Sequence, residues 1–190
     1  AEAQSHGHDR RQRLGDGSDR QCHREQEQVQ DGMQGQGRCF EQAGSEATRY
    51  LEGTLPNGMA YARNGDILIS NFGTDCLELM TRTGETQVLA DSIDGEPIGK
   101  VNFVLRDSKD RIWITISTRI KNWMHALRTD LPDGYVARYE AGKFRIVADG
   151  FHFTNEIRFD AKEEFMYVVE TTGGCISRLR IDDKGNLHDR

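Results

Sequence analysis

The chain has 190 residues, of which 36% are hydrophobic and 29% charged, and a formal net charge of -6 at pH 7. It has no Lys/Arg-rich run or basic stripe, the electrostatic footprint of nucleic-acid binding. No apolar run approaches the roughly 18–20 residues of a membrane-spanning helix. A mean hydropathy of -0.71 is polar for a globular domain of this length.

The polarity is concentrated at the start. In residues 1–46 the larger apolar residues are Leu14, Val29, Met33 and Phe40, set among Gln, Gly, Arg, Asp and His without a period of 2 or 3.6. Such a stretch cannot offset the entropy of ordering it, which predicts a disordered or aberrant N-terminal segment over 1–46. An upstream reading-frame shift would leave the same abrupt change of composition near 47. The N-terminus lacks the basic-then-apolar pattern of a signal peptide. Cys22, Cys39, Cys76 and Cys175 show neither CxxC spacing nor a disulfide framework. The expected location is cytoplasmic, with no membrane and no nucleic-acid partner.

From Tyr50 the pattern becomes one of short strands. Tyr50-Leu51-Glu52 leads through Gly53 to Pro56-Asn57-Gly58, and Asn64-Gly65 predicts a type I′ hairpin turn. Ile67-Leu68-Ile69-Ser70 is apolar on both faces, as a strand stacked between neighbours should be. Cys76–Met80 and Thr86–Ala90 make an outer hairpin about Thr83-Gly84. The pattern recurs with Ile112–Ile116, then Gly134–Tyr139 and Lys143–Val147 about Ala141-Gly142. It recurs again with Phe165–Val169 and Cys175–Ile181, followed by Lys184-Gly185. An Asn precedes each central strand by ten residues (57 to 67, 102 to 112, 155 to 165), and the Asn residues lie 102 − 57 = 45 and 155 − 102 = 53 positions apart. A period near 40–50 built of short strands is the signature of a β-propeller blade. Residues 47–190 are therefore expected to form about three blades of an all-β propeller. Trp113 and Tyr167 are expected to be packing residues within it.

One segment departs from the repeat. Thr118–Arg128, carrying Trp123, Met124 and His125, is inserted between two strands of the second unit. It reads either as a pocket wall or lid, or as a short helical plug over an apolar patch. His125 and His152 are candidates for acid–base work or for plain surface positions. His6, His8, Cys22, His23 and Cys39 have metal-binding side chains but no convergent spacing.

The phrases Leu55-Pro56-Asn57-Gly58, Lys100-Val101-Asn102, Arg111-Ile112-Trp113-Ile114-Thr115, Asp133-Gly134-Tyr135-Val136, Phe153-Thr154-Asn155 and Cys175-Ile176-Ser177-Arg178-Leu179, in this order and spacing, resemble the gluconolactonase/senescence-marker/luciferin-regenerating family. The resemblance implies a six-bladed propeller and metal-dependent hydrolysis of a sugar lactone. The implied cofactor is one divalent cation in the central channel, calcium foremost, with zinc, magnesium or manganese as the others. It implies that Asn155 is a metal ligand, that Asn102 contacts substrate or metal-bound water, and that Lys100 faces the substrate; Asn57 occupies the equivalent place in the first repeat. A hard cation suits oxygen ligands, and an amide supplies one without adding charge.

Two further ligands of the family pattern have no match. The first-blade Glu should stand in a phrase absent from 1–49, with Glu52 a poor substitute. The Asp that would also accept the proton should lie beyond Arg190. Phe103 and Glu156 replace the Asp and Gly often found after these Asn residues. The chain is thus expected to be part of a longer lactone hydrolase. Alternatives on the same scaffold are a strictosidine-synthase-like or phosphotriester/aryl-ester activity, a non-enzymatic binding or regulatory propeller, or an inactive fragment.

Overall fold

The computed structural model of the chain describes residues 54–140 and 142–190. The segment 1–46, the strand Tyr50–Glu52 and Glu52 itself lie outside the described residues. The fold is all-β, of the β-propeller type, and the described residues form three four-stranded antiparallel sheets, or blades. The first contains β1 (Pro56–Tyr61), β2 (Ile67–Asn71), β3 (Cys76–Met80) and β4 (Thr86–Ala90). A two-stranded ribbon of β5 (Ser92–Ile93) and β6 (Glu96–Pro97) follows. The second blade contains β7 (Val101–Arg106), β8 (Ile112–Ile116), β9 (Gly134–Glu140) and β10 (Lys143–Phe151). The third contains β11 (Thr154–Phe159), β12 (Phe165–Glu170), β13 (Cys175–Ile181) and β14 (Leu187–His188). Each blade runs in simple sequence order, and β1, β7 and β11 stand side by side as its innermost strands. Among the described residues no helix is long and apolar enough to cross a membrane.

The two apolar clusters of the core lie between blades. Leu68 and Leu77 of the first blade meet Val104, Ile114, Ile116 and Ala137 of the second. On the opposite face of the second blade, Trp113, Val136 and Phe151 meet Ile157, Met166, Val168 and Leu179 of the third. This explains the doubly apolar strand Ile112–Ile116: alternate side chains point to opposite faces, and both faces are covered. Trp113 is fully buried as expected, and its Nε1 donates to Asp107 Oδ2 at 2.9 Å. Tyr167 is not a packing residue. It alternates with the buried Met166 and Val168, so it lies on the face of the third blade turned away from the second and is 37% exposed.

The hairpin turns also repeat, though not in the type expected. At 62–66 the N–H of Gly65 donates to Ala62 O and that of Ala62 to Asp66 O, and of the loop residues Gly65 alone has positive φ, at 88°. A type I′ turn needs positive φ at both central residues, so this is a three-residue loop closed by a left-handed residue. The same pair of hydrogen bonds recurs from Thr81, Asp107 and Asp182, with Gly84, Asp110 and Gly185 in the left-handed place. Asp107 and Asp182 accept N–H groups of their own loops through Oδ1, the local bonding for which Asp favours turns. The type I′ combination occurs instead at Asp94-Gly95 of the ribbon, where both φ values are positive (52° and 87°).

Blades approach closely at Gly134, where a Cβ would lie 2.7 Å from Thr154 Oγ1 and 3.0 Å from the carbonyl oxygens of Phe151 and Ser117. Backbone oxygens cannot yield as a flexible side chain can. Gly134→Ala is therefore expected to overpack the junction of the second and third blades and to lower stability by about 1–3 kcal/mol. A shift in the midpoint of urea unfolding checks it; an unchanged midpoint contradicts it.

Candidate functional site

The three repeat asparagines interrupt the inner strands. Pro56 pairs with Asn71 and Gly58 with Ser70, leaving Asn57 without a cross-strand partner. Val101 pairs with Ile116 and Phe103 with Thr115, leaving Asn102 likewise. Thr154 pairs with Glu170 and Ile157 with Val168, so Asn155 and Glu156 share one place opposite. Each Asn is thus a β-bulge residue. A bulge adds one residue to one strand, bends it and re-aims the side chain.

Hydroxyls of the preceding blade hold these bulges in place. Ser70 Oγ donates to Asn102 O at 2.7 Å and accepts Gly58 N–H at 2.7 Å. Thr115 Oγ1 donates to Asn155 O at 2.6 Å, and Ser117 Oγ to Thr154 O at 2.6 Å. Thr154 Oγ1 in turn donates to Ile116 O. Ser70, Thr115, Ser117 and Thr154 are all fully buried, so each of these bonds also avoids an unpaired polar group.

The asparagine side chains differ in what they leave free. Asn102 is buried, with Oδ1 accepting from Asn57 Nδ2 at 2.9 Å and Nδ2 donating to Ser117 Oγ at 2.8 Å. Asn155 donates through Nδ2 to Thr171 Oγ1 at 3.2 Å, and its Oδ1 accepts no hydrogen bond among the described residues. An open neutral oxygen is what a hard cation takes. No group of three or more His, Cys, Asp or Glu that could hold a metal stands among the described residues, and the neighbouring Glu156 carboxylate pairs with Arg158 at 2.5 Å. The described residues therefore fit one corner of a calcium-type shell of six to eight oxygens, and do not make it whole.

Lys100 does not open onto the channel. It is buried, its Nζ lies 2.7 Å from Asp75 Oδ1 and 5.6 Å from the centre of the Phe72 ring, and it ties the second blade to a loop of the first. Asp75 Oδ1 has no hydrogen-bond partner, so the contact is an ion pair without hydrogen-bond alignment. His125 is exposed, with Nε2 3.4 Å from Asn122 Nδ2. His152 Nδ1 lies 3.3 Å from Glu170 Oε2.

A cavity of about 350 Å³ opens beside the amides. Its polar groups come from Asn57 and Asn102, and its walls are Leu55, Pro56, Phe72, Trp123 and Phe153. The three rings come from three blades. Phe72 follows β2, Trp123 opens the short 3₁₀ turn Trp123–Ala126 of the insertion, and Phe153 precedes β11. Phe72 and Trp123 meet edge to face at 5.7 Å between centroids, and Phe153 lies 6.4 Å from each. The insertion is thus both plug and wall: Ala126 and Trp123 cover Phe72 and Phe153 while Trp123 faces the cavity. Phe153 has φ 54°, the left-handed region that a bulky residue adopts only at a cost of about 1–3 kcal/mol.

What holds Phe153 there is a buried acid that the sequence reading did not single out. Glu170 Oε2 accepts His152 N–H at 2.8 Å, and Oε1 accepts from Ser177 Oγ at 2.5 Å and Arg190 Nη2 at 2.7 Å. Thr171 N–H donates to Phe153 O at 3.1 Å. Burial pushes the Glu170 carboxyl up, but these hydrogen bonds and the Arg190 charge outweigh it and bring the group from 4.5 down to about 2. A carboxyl held below its unfolded value stabilises the fold above pH 4.5, and that contribution is lost as pH falls toward 2. Glu170→Gln is expected to cost about 1.5–3 kcal/mol at pH 7 and to flatten the decline in stability between pH 4.5 and 2. Urea unfolding of both proteins at pH 7, 4.5 and 3 checks both statements; parallel pH profiles contradict the second.

Comparison with known proteins places this geometry. The SMP-30/Gluconolactonase/LRE-like region matches residues 28–190, a span that begins within the segment 1–46. Over 143 residues the chain is 27% identical to adipocyte plasma membrane-associated protein of Danio rerio, covering 70% of this chain and 34% of that protein. A gluconolactonase from Xanthomonas campestris superposes with a TM-score of 0.59 at 22% identity, over 71% of this chain and 47% of the other. Regucalcin from Agrobacterium tumefaciens, a calcium-binding protein, superposes with a TM-score of 0.56 at 19% identity, over 75% and 45%. The chain spans about a third of that curated relative and less than half of those solved structures. At these identities the structures show the fold. The family match extends over most of the chain, and with the Asn-centred bulges at each inner strand it means that the chain belongs to the SMP-30/gluconolactonase/LRE-like family.

Proposed function

We propose that these blades are part of a lactone hydrolase that depends on one divalent cation, calcium before zinc, magnesium or manganese, and that a sugar lactone is the class implied by the family. The observation that carries the reading is Asn155: it stands at the bulge of the third inner strand, its carbonyl is gripped by Thr115, and its Oδ1 is open. When bound, such a cation supplies a Lewis acid that polarises a lactone carbonyl and makes a water more acidic. Asn155 offers the cation a neutral oxygen. Asn102 holds Asn57 at the cavity edge, where Asn57 Oδ1 and its second N–H remain for a ring oxygen or hydroxyl of the substrate. Glu170, with a carboxyl near 2 and both oxygens engaged, is a poor proton acceptor at neutral pH and serves as a clamp. The gluconolactonase neighbour supports lactone chemistry, and the calcium-binding neighbour supports the cation.

Calorimetric titration of the 190-residue chain with calcium and with zinc tests the reading. Saturable binding to one site, weakened at least tenfold by Asn155→Ala, is expected. Binding that the substitution leaves unchanged, or no binding, would overturn the assignment of Asn155 and favour a binding or regulatory propeller.

A further inference from the structure

Resting on the lactone reading above, we propose that the Phe72–Trp123–Phe153 wall and the Asn57 amide form a subsite for an apolar, planar part of the substrate. The lactone taken is then one fused to an aromatic ring, and a fully hydroxylated sugar ring is a poor fit.

The donor and acceptor inventory of the cavity carries the argument. A sugar lactone brings several hydroxyls, and each one buried without a partner is costly. Asn102, one of the two polar residues lining the cavity, has both ends of its amide engaged, with Asn57 and Ser117. Asn57 keeps one acceptor and one N–H. The ammonium of Lys100 is turned onto Asp75 and is not in the lining. One amide against three aromatic rings, Leu55 and Pro56 fits a ligand with a single polar edge. The rings are also fixed. Each comes from a different blade, Phe72 is held by the Lys100 cation at 5.6 Å, and Phe153 occupies a left-handed backbone conformation. Strain maintained at a cavity wall is a mark of function, and preformed aromatic walls bind flat apolar groups with little loss of entropy.

Three probes separate the alternatives. Dihydrocoumarin is a δ-lactone fused to a benzene ring, chroman is its cyclic ether without the carbonyl, and D-glucono-δ-lactone is the hydroxylated ring. Each is titrated against the 190-residue chain by calorimetry. Dihydrocoumarin is expected to bind at least tenfold more tightly than glucono-δ-lactone, with chroman measurable but weaker. Trp123→Ala is expected to weaken dihydrocoumarin at least tenfold, and Trp123→Phe to restore most of the affinity. Circular dichroism and the unfolding midpoint confirm that both variants are folded. Glucono-δ-lactone binding as tightly as dihydrocoumarin, or a folded Trp123→Ala protein that binds dihydrocoumarin unchanged, overturns the subsite and leaves the lactone reading standing. Chroman binding without dihydrocoumarin overturns the lactone part of both. Binding of none of the three overturns the proposal, while the metal titration still judges the function.

Discussion

The structure depends on one recurring contact: a buried hydroxyl of one blade donating to the backbone carbonyl of an asparagine in the next. Ser70 grips Asn102, and Thr115 grips Asn155. The contact falls at a bulge, where strand pairing has lapsed and the peptide would otherwise lack a partner. Removing the hydroxyl would leave a buried carbonyl unpaired, so blade docking and bulge geometry are a single constraint. The apolar clusters supply the bulk of the attraction between blades. Being non-directional, they do not fix where an amide points, whereas the hydroxyl bonds do.

Charge in the interior follows the same economy. Asp107 sits with its carboxylate shielded, yet Trp113 Nε1, Arg111 Nε and two loop N–H groups satisfy it. Glu170 is satisfied by a backbone N–H, a hydroxyl and a guanidinium. Buried carboxylates with this many donors stay ionised and act as fixed nodes. Lys100 is different, because its one carboxylate partner is imperfectly aligned. It places a charge behind an aromatic ring that lines the cavity, and so bears on the cavity through Phe72 rather than by direct contact.

Much of this was legible in the chain. The Asn period located the inner strands, and the doubly apolar Ile112–Ile116 revealed a blade covered on both sides. The hydroxyls were also written in the repeat, since Ser70 and Thr115 each stand thirteen residues after their Asn (57 to 70, 102 to 115). Val168 at the corresponding place of the third repeat breaks that pattern. What could not be read depends on side chains meeting across blades. Asp75 lies 25 positions before Lys100 (100 − 75), in another blade, and no local pattern joins them. The left-handed Phe153 runs against the preference of a bulky side chain and is imposed by Glu170 and Thr171 from the far end of the neighbouring strand. Tyr167 misled because alternation within a strand names two faces without saying which is covered. Asn64-Gly65 misled because Asn-Gly serves both a two-residue turn and a three-residue loop, and Asp94-Gly95 took the former.

The staple between blades also has a direction along the chain. In both instances the donating hydroxyl precedes the carbonyl it grips, Ser70 before Asn102 and Thr115 before Asn155. A ribosome delivers the N-terminal part first. Each bulge therefore emerges when the blade that will hold it has already left the tunnel, and no asparagine needs to wait for a later segment to have its backbone set. Assembly can proceed as a ratchet, one blade seating on the last. The part of the site with the open oxygen, Asn155, is the latest of the three to be locked, and its geometry inherits whatever error the earlier seatings leave.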